Sequence, residues 1–186
     1  MRSDGTRYPV FTKEQQRAER LVRGMIKAGI DVPVPKDKGG GYTHEQHKRN
    51  YQAIQAAGAL YRLTGDKVYA DYARDLLLGY AKLYPGLGAH PQGRGQIPGR
   101  LFWQTLNDSV WLVSAVQGYD AIRDSLSAAD RKTIDDNVFR PMADFLSGTP
   151  ENFDKIHNHA TWAVAAVGMT GYVLRDPTYV DKALKG

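Results

Sequence analysis

Apolar residues recur at helical spacing along most of this 186-residue chain, and Gly, Pro and Asp are concentrated between the segments that show this pattern. The first segment, "TKEQQRAERLVRGMIKAG", has Thr12 as its predicted cap and Gly29 at its end. The second is predicted to begin at a Thr43 cap and to end at Gly65. A third helix is predicted to start immediately afterwards, at Asp66.

Three more helices are predicted beyond "PGLGAHPQGRGQIPGR" at residues 85–100, a stretch whose glycines and prolines exclude regular structure. The fourth is "LFWQTLNDSVWLVSAVQGYDAIR". The fifth follows a Ser127 cap and carries Pro141, which should bend or break it because proline has no N–H to donate. The sixth runs to about Leu174. Strand signals are weak throughout, so the pattern predicts an all-α fold.

Two segments about 110 residues apart have a similar order of residues. They are "ALYRLTGDKVYADYA" and "TGYVLRDPTYVDKALKG", and each joins a helix end to a short turn with Asp, then Tyr and Ala. The repeat predicts stacked antiparallel helical hairpins in a single domain over residues 1–186. The last hairpin reaches residue 186 after less than three turns of its second helix, so we expect this chain to be part of a larger helical-hairpin protein.

The composition limits the classes of partner that this chain is expected to bind. With 42% hydrophobic and 24% charged residues the balance is that of a globular protein, and no apolar run approaches the ~20 residues needed to cross a bilayer. The absence of cysteine excludes disulfides and thiolate chemistry. A net charge of +5 favours an anionic partner, but no basic run exceeds "HKR". We therefore expect neither nucleic acid nor a membrane as a partner.

The fourth predicted helix carries a candidate binding stripe. Gln104, Asn107, Asp108 and Trp111 have the i, i+3, i+4, i+7 spacing of one helix face, and Trp103 precedes them. Amides and a carboxylate can bond hydroxyls, and an aromatic face can pack on a sugar ring, so the stripe is compatible with a saccharide. The alternative is that Trp111 belongs to the core and the polar groups form a solvated edge.

His44 and His47 stand three residues apart, directly after a triple-glycine loop. No Asp, Glu or His with ligand spacing accompanies them, so we predict no metal site and no cofactor in this chain. Solvated histidines are one alternative, and a saccharide contact by His44 at the mouth of the loop is another. The segment "KDKGGGY" does not fit a phosphate-binding loop, because its lysine precedes the glycines.

The stretch "DKIHNHATWAVAAVGM" places His157, Asn158 and His159 directly before an apolar helix. Asn158 could simply cap that helix. A cap does not explain a histidine on each side of it, however. Histidine exchanges a proton near neutral pH, whereas asparagine donates to a carboxylate without titrating, so the three residues also fit an active site.

Three segments resemble the alginate lyase and heparinase II/III-like polysaccharide lyases, and most closely the oligoalginate lyases of polysaccharide lyase family 17. They are "KGGGYTHEQHKRNY", "GRLFWQTLNDSVWL" and "NHATWAVAAVGMTGY", and the resemblance spans essentially the whole chain. Those enzymes have an N-terminal (α/α) toroid followed by a β-sandwich. The resemblance implies that this chain is the N-terminal part of an incomplete toroid, without the β-sandwich and the metal site that the family carries there.

The family chemistry is β-elimination at a uronic acid, which requires neutralisation of the carboxylate while the adjacent carbon loses its proton. The resemblance implies that Asn158 neutralises the carboxylate, and that His159 does so alongside it or acts as the base. A tyrosine that protonates the leaving oxygen is expected beyond the end of this chain. Residues expected to contact the substrate are Gln104, His44, Asn107 and Trp103.

The resemblance therefore implies an alginate-cleaving lyase with an acidic polysaccharide or oligosaccharide as substrate, in the periplasm or secreted. The oligomeric state stays open, a homodimer of the full-length protein included. A heparinase-like lyase is one alternative, and an unsaturated glucuronyl hydrolase is another, for which Asp108 is the only attractive acid/base carboxylate. A non-enzymatic interaction module of helical hairpins is the third.

Overall fold

The computed structural model describes residues 9–93 and 97–185, apart from the side chains of residues 9, 151 and 152. All regular structure in these ranges is helical, which confirms the predicted all-α class. Residues 94–96 of the predicted glycine-rich loop lie outside the described residues. The α-helices are α1 (Pro9–Ala28), α2 (Tyr42–Thr64), α3 (Lys67–Leu83), α4 (Thr105–Ile122), α5 (Ala128–Ile134), α6 (Arg140–Ser147), α7 (Pro150–Phe153), α8 (Asn158–Leu174) and α9 (Pro177–Lys185).

The turn between α2 and α3 forms as predicted. Gly65 ends α2 in the left-handed conformation, with φ of 71°, and its N–H donates to the carbonyl of Tyr61. Glycine adopts this conformation without a steric penalty. The carboxylate of Asp66 then accepts from the N–H of Val68 and caps α3. One glycine and one aspartate are therefore enough to reverse the chain.

The turn between α8 and α9 repeats this arrangement. Arg175 takes the left-handed position, with φ of 55°, and Asp176 accepts from the N–H of Thr178. Three residues after each aspartate a tyrosine enters the core, Tyr69 in α3 and Tyr179 in α9. The internal repeat predicted from the sequence is confirmed as two equivalent helical hairpins.

Helices α2 and α4 lie side by side and run in the same direction. Gln55 donates to Gln117 at 2.9 Å, and Arg62 pairs with Asp120 at 2.6 Å. The residue numbers of the paired side chains increase in the same direction along both helices, so the helices are parallel. The connection through α3 makes this possible, because α3 returns antiparallel to α2. The two helices are neighbours in one layer, and α3 packs against α2 as its antiparallel partner.

Two glycines bring the backbones of α2 and α4 into contact. A Cβ atom on Gly118 would lie 2.3 Å from the carbonyl oxygen of Ile54, and one on Gly58 would lie 2.6 Å from the carbonyl oxygen of Gly118. Neither position has room for a side chain, because the obstructing atoms belong to the neighbouring backbone. This close approach fixes the α2–α4 pair rigidly.

Helix α8 runs parallel to α4, which can be traced through α6. The ring of Tyr119, near the end of α4, stacks on Phe139 with centroids 4.7 Å apart. The adjacent Arg140 pairs with Asp176, just after the end of α8. Since the C-terminal ends of α4 and α8 both reach this point, their N-terminal ends lie together at the opposite end. The structure thus contains three parallel helices, α2, α4 and α8, in one layer.

The predicted fifth helix is broken as expected near Pro141. Ser127 caps α5 by accepting from the N–H of Asp130. The helix then widens into a π-helical turn over Asp135–Phe139 before α6 begins at Arg140. A π turn accommodates a residue that cannot donate to the α-helical ladder, and proline is such a residue.

Three predicted helix starts are wrong. Thr12 lies inside α1, which begins at Pro9. Helix α2 begins at Tyr42 after a Gly41 cap, and the Thr43 hydroxyl accepts from the backbone N–H groups of residues 36 and 37. Helix α4 begins at Thr105, because the backbone before it donates to a side chain within α4. In each of the last two cases a contact outside the local sequence decides where the helix starts.

No helix among the described residues combines the length and the apolar character required to cross a membrane.

The core between the layers is rich in large aromatic rings. Trp111, Tyr80 and Tyr84 are completely buried, and the rings of Trp111 and Tyr80 meet edge-on at 4.7 Å. Closure of the hairpins into a toroid stays a prediction, because the described residues form one layer of three parallel helices with their return helices.

Candidate functional site

The N-terminal ends of α2, α4 and α8 share one end of the molecule, since the three helices are parallel. The two long connections, residues 29–41 and 84–104, lead into α2 and α4 at this end. The opposite end is closed by the short turns at residues 65–66 and 175–176. Helix N-termini carry partial positive charge and spare N–H groups, so three of them at one end favour an anionic ligand. We call this the loop end.

At the start of α8 the cap is His157, not Asn158. The ring Nδ1 of His157 accepts from the N–H of Ala160 at 3.1 Å, which is the bond expected of a capping side chain. The alternative in which Asn158 caps the helix is therefore wrong. Asn158 is exposed, and among the described residues its side chain has no hydrogen-bond partner. Its amide is free to meet a ligand at the loop end.

His159 lies half-buried beside this amide. Its ring is 5.3 Å from the ring of His157, with the planes at 85°. Burial, and secondarily the charge that His157 can carry, lowers the pKa of His159 below its usual value. A histidine with a lowered pKa is neutral at pH 7, so His159 can donate from one ring nitrogen and accept a proton on the other.

At the start of α4 the structure brings three of the predicted residues together. Gln104 occupies the N-cap position, and its Nε2 donates to Oδ1 of Asn107 at 2.9 Å. Trp103, adjacent to Gln104, is half-buried, and the Lys38 ammonium lies 5.9 Å from the centre of its ring. Both amides keep further donors and acceptors, so this group can bond several hydroxyls beside an aromatic face.

Asp108 and Trp111 do not belong to this group, and the prediction of a single polar stripe is wrong for both. Asp108 is completely buried and accepts from the backbone N–H of Arg100 at 2.7 Å and of Phe102 at 2.9 Å. A Cβ on Gly99 would lie 2.6 Å from its carboxylate, so glycine is required there. Asp108 organises the chain before α4 from the interior and is not accessible at the loop end.

The electrostatics of Asp108 agree with this structural role. Burial raises the pKa of Asp108 to about 7, and the backbone N–H donors oppose that rise. Its carboxylate has no contact with solvent, so it cannot reach a glycosidic oxygen. Asp108, the only attractive acid/base candidate in this sequence for the glucuronyl hydrolase alternative, is therefore unsuited to that role.

At the start of α2, His44 is held in place by its neighbours. The carboxylate of Asp37 accepts from the N–H and from the hydroxyl of Thr43, which fixes the first turn of the helix. The ring of His44 meets Phe102 edge-on at 5.0 Å. His44 is 5% exposed, so the alternative of a solvated histidine is wrong. Burial also lowers the pKa of His44.

His47 belongs to a buried network and not to the site. Its Nδ1 lies 2.8 Å from the hydroxyl of Tyr80, and that oxygen accepts from Asn50 Nδ2 at 3.0 Å. Asn50 also donates to the carbonyl of Asp31 and accepts from Gln46. Burial lowers the pKa of His47 to about 4, so the ring stays neutral. This network ties α2 to α3 and to the loop that precedes α2.

The structure adds His90, which the sequence interpretation missed. His90 is 4% exposed, its Nδ1 accepts from the N–H of Gln92, and its backbone N–H donates to the carbonyl of Gly99. Burial lowers the pKa of His90, and His44 lowers it further. The available signal was a single histidine within the glycine-rich stretch, which is too weak to select a residue.

The described residues contain no group of three or more His, Cys, Asp or Glu arranged to hold a metal ion. The expectation of no cofactor in this chain stays a prediction. The structure places all six predicted site residues at the loop end, on the starts of three neighbouring helices: His44 on α2, Trp103, Gln104 and Asn107 at α4, and Asn158 and His159 on α8. The roles assigned to them stay predictions.

Fold and site together define an all-α protein of stacked helical hairpins, with a polar loop end suited to an anionic ligand. Comparison with protein families finds a match over nearly the whole chain. The model of the alginate lyase family matches residues 6–186. The chain belongs to the alginate lyase family.

Two relatives are similar over nearly the whole chain. An "Alginate lyase" of Stenotrophomonas maltophilia (strain K279a) is 73% identical over 186 residues, which is 100% of this chain and 25% of the relative. An "Exo-oligoalginate lyase" of Saccharophagus degradans is 56% identical over 180 residues, 96% of this chain and 24% of the relative. The chain thus spans about a quarter of the length of these relatives.

Proposed function

We propose that the protein to which this chain belongs is a polysaccharide lyase that cleaves alginate or its oligosaccharides by β-elimination at uronic acid residues. Family membership and the names of the two relatives support the reaction and the substrate. The observation that carries the assignment to this chain is the free amide of Asn158 at the loop end. Because the chain is about a quarter of its relatives' length, the activity is proposed for the whole protein.

β-Elimination removes the proton on the carbon next to the carboxylate and expels the oxygen on the following carbon. Negative charge builds up on the carboxylate as the proton leaves, so the site must stabilise that charge. Asn158 supplies an N–H donor that does not titrate, and the N-terminus of α8 adds partial positive charge at the same place. In this proposal the carboxylate of the substrate lies against Asn158.

His159 is neutral near pH 7, which suits two roles at this position. It can donate a second hydrogen bond to the carboxylate, or it can remove the proton from the adjacent carbon. The acid that protonates the leaving oxygen is proposed, by resemblance to the family, to be a tyrosine in the rest of the protein. The site then spans this chain and residues outside it.

The start of α4 is proposed to bind the saccharide ring. The Gln104–Asn107 pair offers donors and acceptors for hydroxyls or a second carboxylate, and Trp103 offers an apolar face. His44 lies on the neighbouring helix start and supplies a further hydrogen bond. The positive net charge of the chain favours a polyanion in general terms.

By resemblance we also propose a periplasmic or secreted location. By resemblance we propose a homodimer as well, and sedimentation of the whole protein would test that oligomeric state.

The test uses the full-length protein and the ultraviolet absorbance of the unsaturated product. Replacing Asn158 or His159 by Ala should lower kcat on alginate oligosaccharides by about 100-fold or more, the usual effect of losing a donor to a developing oxyanion. Gln117→Ala, an exposed amide in the second half of α4, is the matched control and should retain activity. Full elimination activity in Asn158→Ala would refute the assignment.

The same assay separates the alternatives. Turnover of heparin oligosaccharides in place of alginate would favour the heparinase-like lyase. An interaction module predicts no unsaturated product from any uronate polymer and no saccharide-dependent change in the NMR signals of His157 and His159. The proposed lyase instead predicts an unsaturated product and a saccharide-dependent change in these NMR signals.

A further inference from the structure

The protonation state of His90 can be assigned from its hydrogen bond. Its Nδ1 accepts from the backbone N–H of Gln92 at 3.1 Å. A backbone N–H can only donate, so Nδ1 carries no proton, and the neutral ring must carry its proton on Nε2. His90 therefore has a donor, Nε2–H, on the side of the ring that faces away from Gln92.

This donor and a nitrogen of His44 are both buried without a partner. Nε2 of His90 and Nδ1 of His44 are inaccessible to solvent, and neither has a hydrogen bond within the part of the chain that the structure describes. The two side chains are 4% and 5% exposed. Both lie against the same short stretch of chain. The His90 backbone N–H donates to the carbonyl of Gly99 at 2.9 Å. A Cβ on Gly99 would lie 2.7 Å from the Phe102 carbonyl oxygen, and the Phe102 ring meets His44 at 5.0 Å. Buried polar atoms of this kind are normally satisfied, often by an ordered water.

The other nitrogen of His44 points towards the triple-glycine loop. A Cβ atom on Gly39 would lie 3.9 Å from Nε2 of His44, and Gly39 itself is exposed. Glycine at this position leaves Nε2 uncovered by a side chain. Of the two ring nitrogens of His44, only Nδ1 is fully buried without a hydrogen bond. His44 thus has one nitrogen in the interior and one at the loop end.

We propose that His90 is a positioning residue for His44: its Nε2–H donates to Nδ1 of His44 through one buried water, which holds the proton of His44 on Nε2. His44 then presents an N–H donor to the saccharide at the loop end. The inference rests on the proposed function in so far as the ligand is a saccharide. The coupling of the two rings stands without it.

The surroundings favour two neutral rings over a protonated, positively charged one. Burial lowers the pKa of both histidines. Asp37 opposes this at His90, and at His44 the effects of Glu45 and Lys48 oppose each other. Neutral rings must choose one nitrogen for the proton, so a hydrogen bond at Nδ1 decides what Nε2 offers.

Two substitutions at His90 separate its possible roles, because each keeps one half of the ring's chemistry. In His90→Asn the amide oxygen replaces Nδ1 and keeps the bond to the Gln92 N–H, but the donor is lost. In His90→Gln the amide nitrogen replaces Nε2 and keeps the donor, but the loop bond is lost. If His90 only shapes the loop, His90→Asn should behave like the native protein and His90→Gln should not. If His90 positions His44, His90→Gln should keep the native tautomer of His44 and His90→Asn should not.

The measurement is the tautomer of His44 in the full-length protein, read from nitrogen-15 NMR with labelled histidine and assigned by loss of the signal in His44→Gln. We expect the proton on Nε2 in the native protein and in His90→Gln, and mixed tautomers in His90→Asn. A native His44 with its proton on Nδ1 overturns the inference. An unchanged tautomer in His90→Asn also overturns it.

Kinetics test the link to the proposed function separately. Loss of one well-placed neutral hydrogen bond corresponds to about a three- to tenfold rise in KM for alginate oligosaccharides in His90→Asn, with kcat little changed. If the tautomer shifts and KM does not, the coupling of the rings is right and the substrate contact by His44 is wrong. If the protein has no lyase activity at all, the tautomer result still decides the coupling.

Discussion

The carboxylate of Asp108 gives the sharpest prediction for the stability of this fold. It is fully buried, and its two oxygens accept from the backbone N–H groups of Arg100 and Phe102. In Asp108→Asn one oxygen becomes an NH₂ group, so one of these backbone donors faces another donor. A buried donor left without an acceptor costs about 1–3 kcal/mol. We expect the variant to be destabilised by about this amount at pH 5.

The difference should depend on pH in a definite direction. The folded-state pKa of Asp108 is raised, from 3.8 to about 7, so the folded protein holds this proton over a range in which the unfolded chain has released it. The stabilisation from that proton is complete below about pH 4 and is lost as pH rises through about 7. One such group changes the free energy of unfolding by at most about 1.4 kcal/mol per pH unit. The side chain introduced in Asp108→Asn does not titrate, so only the native protein loses this stabilisation as pH rises. The difference in free energy of unfolding between the two proteins should therefore shrink between pH 5 and about pH 8.

Urea denaturation of the 186-residue chain at several pH values measures the free energy of unfolding of both proteins. Amide hydrogen exchange over residues 97–104 shows whether the damage is local, as the two hydrogen bonds require. Asp71→Asn, at an exposed carboxylate in α3, is the control and should show no comparable change. A deficit that widens with pH would show that the folded state favours the ionised carboxylate, and the reasoning would then be wrong.

Two further predictions concern packing and capping, and the same denaturation assay measures both. Gly118→Ala should cost about 1–3 kcal/mol or more, because its Cβ would lie 2.3 Å from a backbone oxygen of α2, whereas Gly86→Ala, with open space around it, should be nearly neutral. His157→Ala should cost about 0.5–2 kcal/mol, since the N–H of Ala160 loses its acceptor, and His157→Asp should restore most of the loss. Equal stability of the Ala and Asp variants at position 157 would contradict the capping role.

Features set by neighbouring residues could be predicted from the sequence. The Gly65 and Asp66 turn, its repeat at Asp176, and the break before Pro141 each depend on the conformational preference of one or two residues. The repeat also predicted the antiparallel hairpins. Because the two helices within each hairpin run in opposite directions, the first helices of successive hairpins are parallel and their starts meet at one end of the molecule. This arrangement could be anticipated from topology alone.

The starts of α2 and α4 could not be predicted, because they depend on contacts between residues six to eight positions apart. Thr43 looks like a cap, but its hydroxyl serves the backbone of residues 36 and 37. Asp108 looks like part of a helix face, but its carboxylate serves the backbone of residues 100 and 102. In both cases a polar side chain satisfies an irregular loop, and no periodic pattern records such a bond.

The choice of His157 over Asn158 as the cap of α8 matters for chemistry as well as for the helix. A capping asparagine would commit its oxygen to the helix backbone and would be held in that orientation. Because His157 accepts from Ala160, the next residue begins the helix with its amide unoccupied. The two histidines and the asparagine are then in distinct environments: His157 caps the helix, Asn158 is exposed with its amide unoccupied, and burial lowers the pKa of half-buried His159 so that its ring is neutral beside that amide. Removal of the His157 ring should accordingly disturb the position of Asn158, while Asp at 157 would preserve the helix and place a negative charge where the substrate carboxylate is proposed to bind.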